Sequence, residues 1–323
     1  MKAIRIARTG GPEVLELMEV ALPDPAPGEV RVRHTAIGLN YIDTYHRSGL
    51  YPVSLPSGLG QEAAGVIEAL GAGVKGFKVG DRIAYGNGPI GSYSDVRNIP
   101  AARINKLPKG ISDEVAAAVM LKGMTARYLL KSSYKVKRGQ TVLIHAAAGG
   151  VGQIATQWAR ALGAKVIGTV GSEEKVDVAK ANGCHHVINY RTDDVVKRVR
   201  EITKGKGLPV VYDGVGQATL ITSLDCLQPG GMLVSFGNAS GPVKCLDTGL
   251  LAAKGSLYVT RPTLGTFIST PKDLQQVAND VFAIVKSGKV KVHIGQRYQL
   301  TDVQKAHRDL QDRQTLGSTI LVP

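Results

Sequence analysis

The sequence predicts an α/β protein in which a doubly wound parallel sheet follows a β-rich first domain. Three observations lead there. Thr141 to His145 is a short β-prone run that passes through Ala147-Ala-Gly149-Gly150-Val-Gly152 into an amphipathic helical pattern over Gln153 to Leu162. A second β-prone run, Lys165 to Val170, follows at the distance of one βαβ unit. Strands and helices then alternate, whereas the residues before Ile111 read as short β segments broken by proline and glycine turns.

In chain order, Lys2 to Ala7 and Leu15 to Val20 read as strands, and Pro23-Asp-Pro-Ala-Pro-Gly28 redirects the chain into Glu29 to Thr35. An all-β first domain is expected. Ala36 to Tyr45 and a loop holding Tyr51 and Pro52 lead to Leu59 to Glu68, so that Tyr41, Tyr45 and Tyr51 fall within eleven positions. Gly71 to Arg82 is rich in turns. Ile111 to Leu130 changes character: Ser112 caps a helix through Asp113 and Glu114, and a second helix is expected after Gly123, where the domain boundary is placed. Helix Glu173 to Asn182, strand His186 to Asn189, helix Asp193 to Thr203 and strands Val210 to Tyr212, Met232 to Phe236 and Ser256 to Thr260 complete a six-stranded parallel sheet. A helix over Pro271 to Lys286, short strands and a last helix near Thr301 to Asp312 follow. Ser318 to Val322 is expected to join the first domain's sheet.

The A-x-G-x-x-G turn carries the chemistry. Small residues let a phosphate-bearing ligand approach the backbone, and the free N–H groups of the helix start favour the pyrophosphate of a dinucleotide. Gly152 lets helix and strand pack closely.

Composition narrows the rest. The chain is 43% hydrophobic and 20% charged, as soluble globular proteins are, with no apolar run near the roughly 18 residues of a membrane helix. Met1 to Arg8 lacks the apolar core of a signal peptide, so a cytoplasmic location is expected. Cys184, Cys226 and Cys245 form no C-x-x-C pattern, and three buried or inert thiols are expected. Cys184-His185-His186 is read as structural. The formal charge of +14 attracts anions and is compatible with nucleic-acid contact, but no nucleic-acid-binding signature accompanies it.

Gly60-Gln-Glu-Ala-Ala-Gly-Val-Ile67, Val79-Gly-Asp-Arg82, His145 to Gly152, Asn189-Tyr190, Val211-Tyr-Asp213, Ser235-Phe-Gly-Asn238 and Val259-Thr-Arg-Pro262 give the sequence a recognisable pattern. It resembles the medium-chain dehydrogenase/reductases over nearly its whole length. Within them it is similar to the zinc-free, zeta-crystallin-like quinone oxidoreductases, especially the bacterial NADPH:quinone reductases. The resemblance implies a GroES-like catalytic domain over residues 1–123 and 266–323 and a Rossmann NADPH-binding domain over 124–265. It also implies a homodimer joined through Ser256 to Thr260. Zinc relatives hold their metal with a cysteine and a histidine where this chain has Asn40 and Gln61, so no metal is expected.

An acid near the end of the second strand would serve an NAD ribose, but Thr169-Val170-Gly171-Ser172 offers none. The resemblance assigns Ser172, Lys175 and Tyr190 to the 2′-phosphate of NADPH. The alternative leaves Ser172 as a helix cap, Lys175 as surface, and Glu173 to serve NAD. Further cofactor positions implied are Thr125, Gly149, Gly150, Val151, Val215, Phe236, Asn238, Thr260 and Arg313. Hydride transfer to a quinone builds negative charge on a quinone oxygen, which polar groups stabilise. Asn40, Tyr45, Tyr51 and Arg261 are the candidates that the resemblance implies; for Asn40 the alternative is orienting the nicotinamide ribose, for the tyrosines packing. Reduction of conjugated alkenals or enones is the neighbouring reading, and a crystallin-like structural or RNA-binding protein is the reading from another class.

Overall fold

Burial of Ala3, Ile4 and Ile6 against exposed Lys2 makes β1 (Lys2–Ile6) a half-buried strand, paired antiparallel with β2 (Glu16–Glu19). The computed structural model describes residues 1–323. Along β3 (Glu29–Leu39), Val30, Val32, His34 and Ala36 are buried while Arg33 and Thr35 face outward, a period-two pattern. The chain continues through α1 (Tyr41–Ser48), β4 (Ser57–Gly58), β5 (Glu62–Leu70), β6 (Arg82–Tyr85), β7 (Val96–Pro100), β8 (Asn105–Lys106) and α2 (Asp113–Tyr128). Helix α1 corrects the all-β expectation. Asp43, Thr44, His46 and Arg47 are buried in it, so the helix has no apolar stripe to betray it.

Ser112 Oγ accepts the Val115 N–H at 3.2 Å, as a cap should. Helix α2 then runs uninterrupted through Gly123, where two helices were expected. A Cβ on Gly123 would stand 2.8 Å from Val281 Cγ1, so this glycine serves close packing rather than a break.

The alternating units are β9 (Thr141–Ile144), α3 (Gly150–Ala161), β10 (Lys165–Val170), α4 (Glu173–Ala181), β11 (His186–Asn189), α5 (Val195–Ile202), β12 (Leu208–Asp213), α6 (Leu220–Asp225), β13 (Leu227–Ser235), α7 (Thr248–Ala253) and β14 (Tyr258–Thr260). They form a six-stranded sheet in the order β11-β10-β9-β12-β13-β14, every pair parallel. Winding reverses between β9 and β12, the switch point where open α/β sheets bind ligands. Leu143, Ile167, Val211 and Leu233, one from each of four neighbouring strands, are fully buried, and each such burial stabilises the fold by about 1.5–3 kcal/mol. The C-terminal part adds α8 (Leu264–Phe267), α9 (Pro271–Lys286), β15 (Ile294–Gln299), α10 (Val303–Gln311) and β16 (Ser318–Val322).

Contacts divide the chain into a first unit, Met1–Met124, Ile268–Lys286 and Val292–Pro323, and a second, Thr125–Phe267 and Ser287–Lys291. In the first unit a sheet runs β15-β16-β3-β5-β6-β8, with β7 also on β3 and β16 antiparallel to β3. Its core gathers Ile4, Val32, Ile37, Tyr85, Ile99 and Leu321. No helix is long and apolar enough to cross a membrane.

Candidate active site

In the second unit the glycine turn opens α3. Gly149 is the N-cap of α3 in extended conformation and the helix starts at Gly150, three residues before it was expected, so Gly150, Val151 and Gly152 form the first helical turn. No side chain caps this end and no acid lies in its first turn, which leaves its N–H groups and dipole available to phosphate. A Cβ on Gly152 would overlap the Ala146 carbonyl oxygen and stand 2.8 Å from Ala147 Cα. Only glycine lets α3 start so close to the β9 turn.

At the end of β10 the structure gathers the second set. Val170 pairs with Asn189, which brings Gly171 and Ser172 alongside Tyr190. A Cβ on Gly171 would overlap the Tyr190 hydroxyl oxygen, so the phenol lies over that glycine. Ser172 is the N-cap of α4, yet its side chain makes no cap bond. The Lys175 N–H bonds the Ser172 carbonyl at 3.1 Å, placing Lys175 in the first turn beside it. Glu173 instead accepts Asn189 Nδ2 at 2.8 Å. The acid that would read an NAD ribose is held by a structural partner.

Along the carboxyl edge, Asp213 ends β12 and is buried. Its Oδ1 accepts the N–H groups of Val215 and Gly216 at 2.8 and 3.1 Å, and its Oδ2 accepts the Thr219 and Ser223 hydroxyls, both at 2.7 Å. Ser223 Oγ also meets His145 Nε2 at 3.1 Å, and His145 Nδ1 meets Thr169 Oγ1 at 2.9 Å. Burial pushes the His145 pKa below its ordinary value. This network braces the switch point and was missed by sequence reasoning; the acid ending Val211-Tyr-Asp213 was its only signal. Val215 has its N–H on Asp213 and its carbonyl on Ser240, so a ligand can meet it only through its side chain. Phe236 and Asn238 follow β13, Thr260 ends β14, and Arg261 Nη1 donates to the Ser235 carbonyl at 3.1 Å. Thr125 lies in α2, buried.

The first unit holds Asn40, Tyr45 and Tyr51. Asn40 is the N-cap of α1, its N–H donating to Asp43 Oδ2 at 2.9 Å. Tyr45 and Tyr51 come together edge to face with ring centroids 5.1 Å apart, and Tyr41 lies 5.6 Å from Tyr45. The Tyr51 N–H bonds the Tyr45 carbonyl at 3.1 Å, which fixes the loop on the helix. Arg313 also belongs to this unit. It has a left-handed φ of 61° just past α10, and its charge acts on Tyr41.

Burial pushes the thiol pKa of Cys184 up to about 11 and that of Cys226 to about 12, and both are inert by position. Cys245 is exposed in the irregular stretch before α7, so two of the three thiols are buried.

Known proteins give the class and then the family. An alcohol dehydrogenase GroES-like domain matches residues 26–109 and a zinc-binding dehydrogenase domain matches 150–283. With the parallel sheet, these define a medium-chain dehydrogenase/reductase. A quinone oxidoreductase of Pseudomonas aeruginosa is 54% identical over 323 residues, spanning 100% of this chain and 99% of that protein. A crystal structure of Escherichia coli quinone oxidoreductase complexed with NADPH superposes with a TM-score of 0.98 at 52% identity, with 100% of both chains covered. A 2-haloacrylate reductase of a Burkholderia species is 46% identical, with 98% of each chain covered. The chain belongs to the quinone oxidoreductase family.

Zinc, named in the matched domain's description, does not fit the residues present. Asn40 and Gln61 offer amides, and the neighbouring Glu62 carboxylate is taken by Lys122 Nζ at 3.1 Å, Asn40 Nδ2 at 2.7 Å and the Leu121 N–H at 2.7 Å. An ammonium ion at that carboxylate opposes a second cation.

Proposed function

We propose that the chain is an NADPH-dependent quinone reductase working without zinc. The observation that carries the cofactor is the corner where the Tyr190 phenol lies over Gly171, the Ser172 side chain makes no cap bond, Lys175 stands in the same helical turn, and Glu173 is tied to Asn189. A 2′-phosphate suits that corner, and the α3 start with Gly149, Gly150 and Val151 suits the pyrophosphate. Phe236, Asn238, Val215 and Thr260 line the carboxyl edge of the sheet for the nicotinamide half, with Thr125 completing the set in the second unit. Residues 124–265 thus serve mainly the cofactor, and residues 1–123 with 266–323 mainly the substrate.

When bound, reduced nicotinamide supplies a hydride, and a quinone accepts one without Lewis-acid help. In the first unit the Tyr45 and Tyr51 hydroxyls supply donors for the charge that grows on the quinone oxygen, and Asn40 belongs to the same set; the second unit's candidate donor is the Arg261 guanidinium. The paired tyrosine rings offer an apolar face to a planar substrate.

A second reading, reduction of a conjugated C=C bond by the same cofactor, is favoured by the 46% identity to a 2-haloacrylate reductase. A homodimer forms through β14, whose position at the sheet edge and whose Tyr258, 61% exposed, suit pairing with a second copy. A cytoplasmic location accords with this chemistry.

The test is steady-state oxidation of NADPH and NADH by 1,4-benzoquinone in chelator, on wild type and Lys175→Ala. Fast chelator-resistant turnover with NADPH is expected. Loss of a charge-assisted contact of roughly 1.5–3 kcal/mol raises KM for NADPH about tenfold or more and leaves that for NADH nearly unchanged. An equal effect on both cofactors defeats the 2′-phosphate assignment. A 2-alkenal reduced where quinones are not shifts the substrate to the second reading.

A further inference from the structure

Glu62 opens β5 with its side chain fully buried, and its partner Lys122 has 7% of its side chain exposed. Three elements converge on this one carboxylate. The end of β3 brings Asn40 Nδ2 to Oε2 at 2.7 Å, and α2 brings the Leu121 N–H to Oε1 at 2.7 Å and Lys122 Nζ to Oε2 at 3.1 Å. Gly38 clears the approach, since a Cβ there would overlap both Oε2 and the Ala117 carbonyl oxygen. A buried ion pair is a poor source of stability, because desolvation of both charges offsets their attraction and neutral replacements are often as stable. Its value here lies in geometry.

The consequence falls on Asn40. An amide can face a neighbour with its oxygen or its NH2, but an oxygen turned toward the Glu62 carboxylate would be repelled. Nδ2 therefore points at Oε2, with a longer approach of 3.5 Å to the Gly38 carbonyl. The amide's donors are engaged within the protein, and Oδ1, which takes the Asp43 N–H in the capping box of α1, keeps one lone pair to meet a ligand. We propose that Glu62 and Lys122 are positioning residues for hydride transfer, which hold Asn40 as an acceptor for a hydroxyl or amide proton of the bound cofactor or substrate. The Lys122 ammonium balances the carboxylate that fixes the amide's direction. This rests on the reading of Asn40 as an active-site residue.

A double-mutant cycle tests it with benzoquinone and NADPH: Glu62→Gln/Lys122→Met, Asn40→Ala, and the two combined, each with its urea unfolding midpoint. The paired replacement buries no charge, so it should unfold close to wild type while kcat falls about tenfold or more, as expected for a mispositioned group. In the Asn40→Ala background the same replacement should cost nothing further. Additive losses, or an unchanged kcat with Asn40 present, overturn the positioning role while leaving Asn40 in the site. An unchanged kcat in Asn40→Ala itself overturns both readings. Should the paired replacement not fold, the side-chain amide of Asn40 is read by NMR in the wild-type chain. Slow exchange of its NH2 protons supports the arrangement, and fast exchange overturns it.

Discussion

The second unit keeps its main polar cluster within reach of one turn of chain, whereas the first assembles its own from segments far apart. Asp213 takes its four bonds from Val215, Gly216, Thr219 and Ser223, all within ten residues. Glu62 takes its partners from 22, 59 and 60 residues away. A second buried chain in the first unit runs from Asp43 through the Tyr93 hydroxyl to His307 and on to Arg47, with the last two 260 residues apart. The difference teaches what each cluster does. The local one satisfies loop N–H groups and hydroxyls at the rim of the sheet and so stabilises. The distant one fixes the direction in which its partners' side chains point, and a buried ion pair of that kind is a poor source of stability.

Asp213→Ala strains this contrast most. It strands two buried N–H groups and two hydroxyls at roughly 1–3 kcal/mol each before relaxation, so a loss of about 3–4 kcal/mol is expected in urea unfolding. The neutral replacement at Glu62 and Lys122 should by comparison leave the midpoint near wild type, and equal losses would erase the distinction.

Gly152→Ala comes next. Its new Cβ meets backbone on two sides, and overpacking of about 1–3 kcal/mol together with loss of NADPH binding in a fluorescence titration is expected. Gly149→Ala, whose Cβ would meet only the Ala146 oxygen at 3.2 Å, should bind NADPH more nearly like wild type.

The smallest effect is in pH dependence, and it belongs to the first unit. Burial lowers the pKa of His34 to about 4 and, helped by the charge of Arg47, that of His307 to about 3. As pH falls from about 6.5 towards 4, the unfolded chain takes protons at these histidines that the folded chain refuses, so stability drops. Asp43 works in reverse, since burial raises its carboxyl to about 7 from an ordinary 3.8. Between those values the folded chain holds a proton that the unfolded chain has lost, so its contribution shrinks as pH rises through that window. Asp43→Asn should therefore steepen the loss of stability between pH 6.5 and 4.5, seen in unfolding midpoints. A shallower loss would reverse the sign argued here. Asn40, Tyr93, Lys122 and Glu62 act on Asp43 and remain in both proteins.

Much of the second unit could be read directly from residues. Lys165–Val170 and His186–Asn189 are strands over the expected spans, because short runs between turn signals have no competing period. The glycine turn was legible for the same reason, although α3 starts at Gly150 rather than Gln153. Helix α1 was not legible. Its buried face is Asp43, Thr44, Tyr45, His46 and Arg47, and polar side chains look exposed until their distant partners are known. Gly123 misled in the opposite way, since a glycine that marks a helix end in one context admits a neighbouring helix in another.

By itself, then, the sequence determined the parallel sheet, the glycine turn, and the amides at positions 40 and 61. These depend on local conformation and residue type, which short segments specify. Only the tertiary structure decided that Glu173 is tied to Asn189, that Tyr45 and Tyr51 share an edge-to-face contact, and that Lys122 and Glu62 direct the amide of Asn40. Hydrogen bonds and ion pairs between residues tens to hundreds of positions apart exist only once the chain has closed on itself, and no local pattern encodes them.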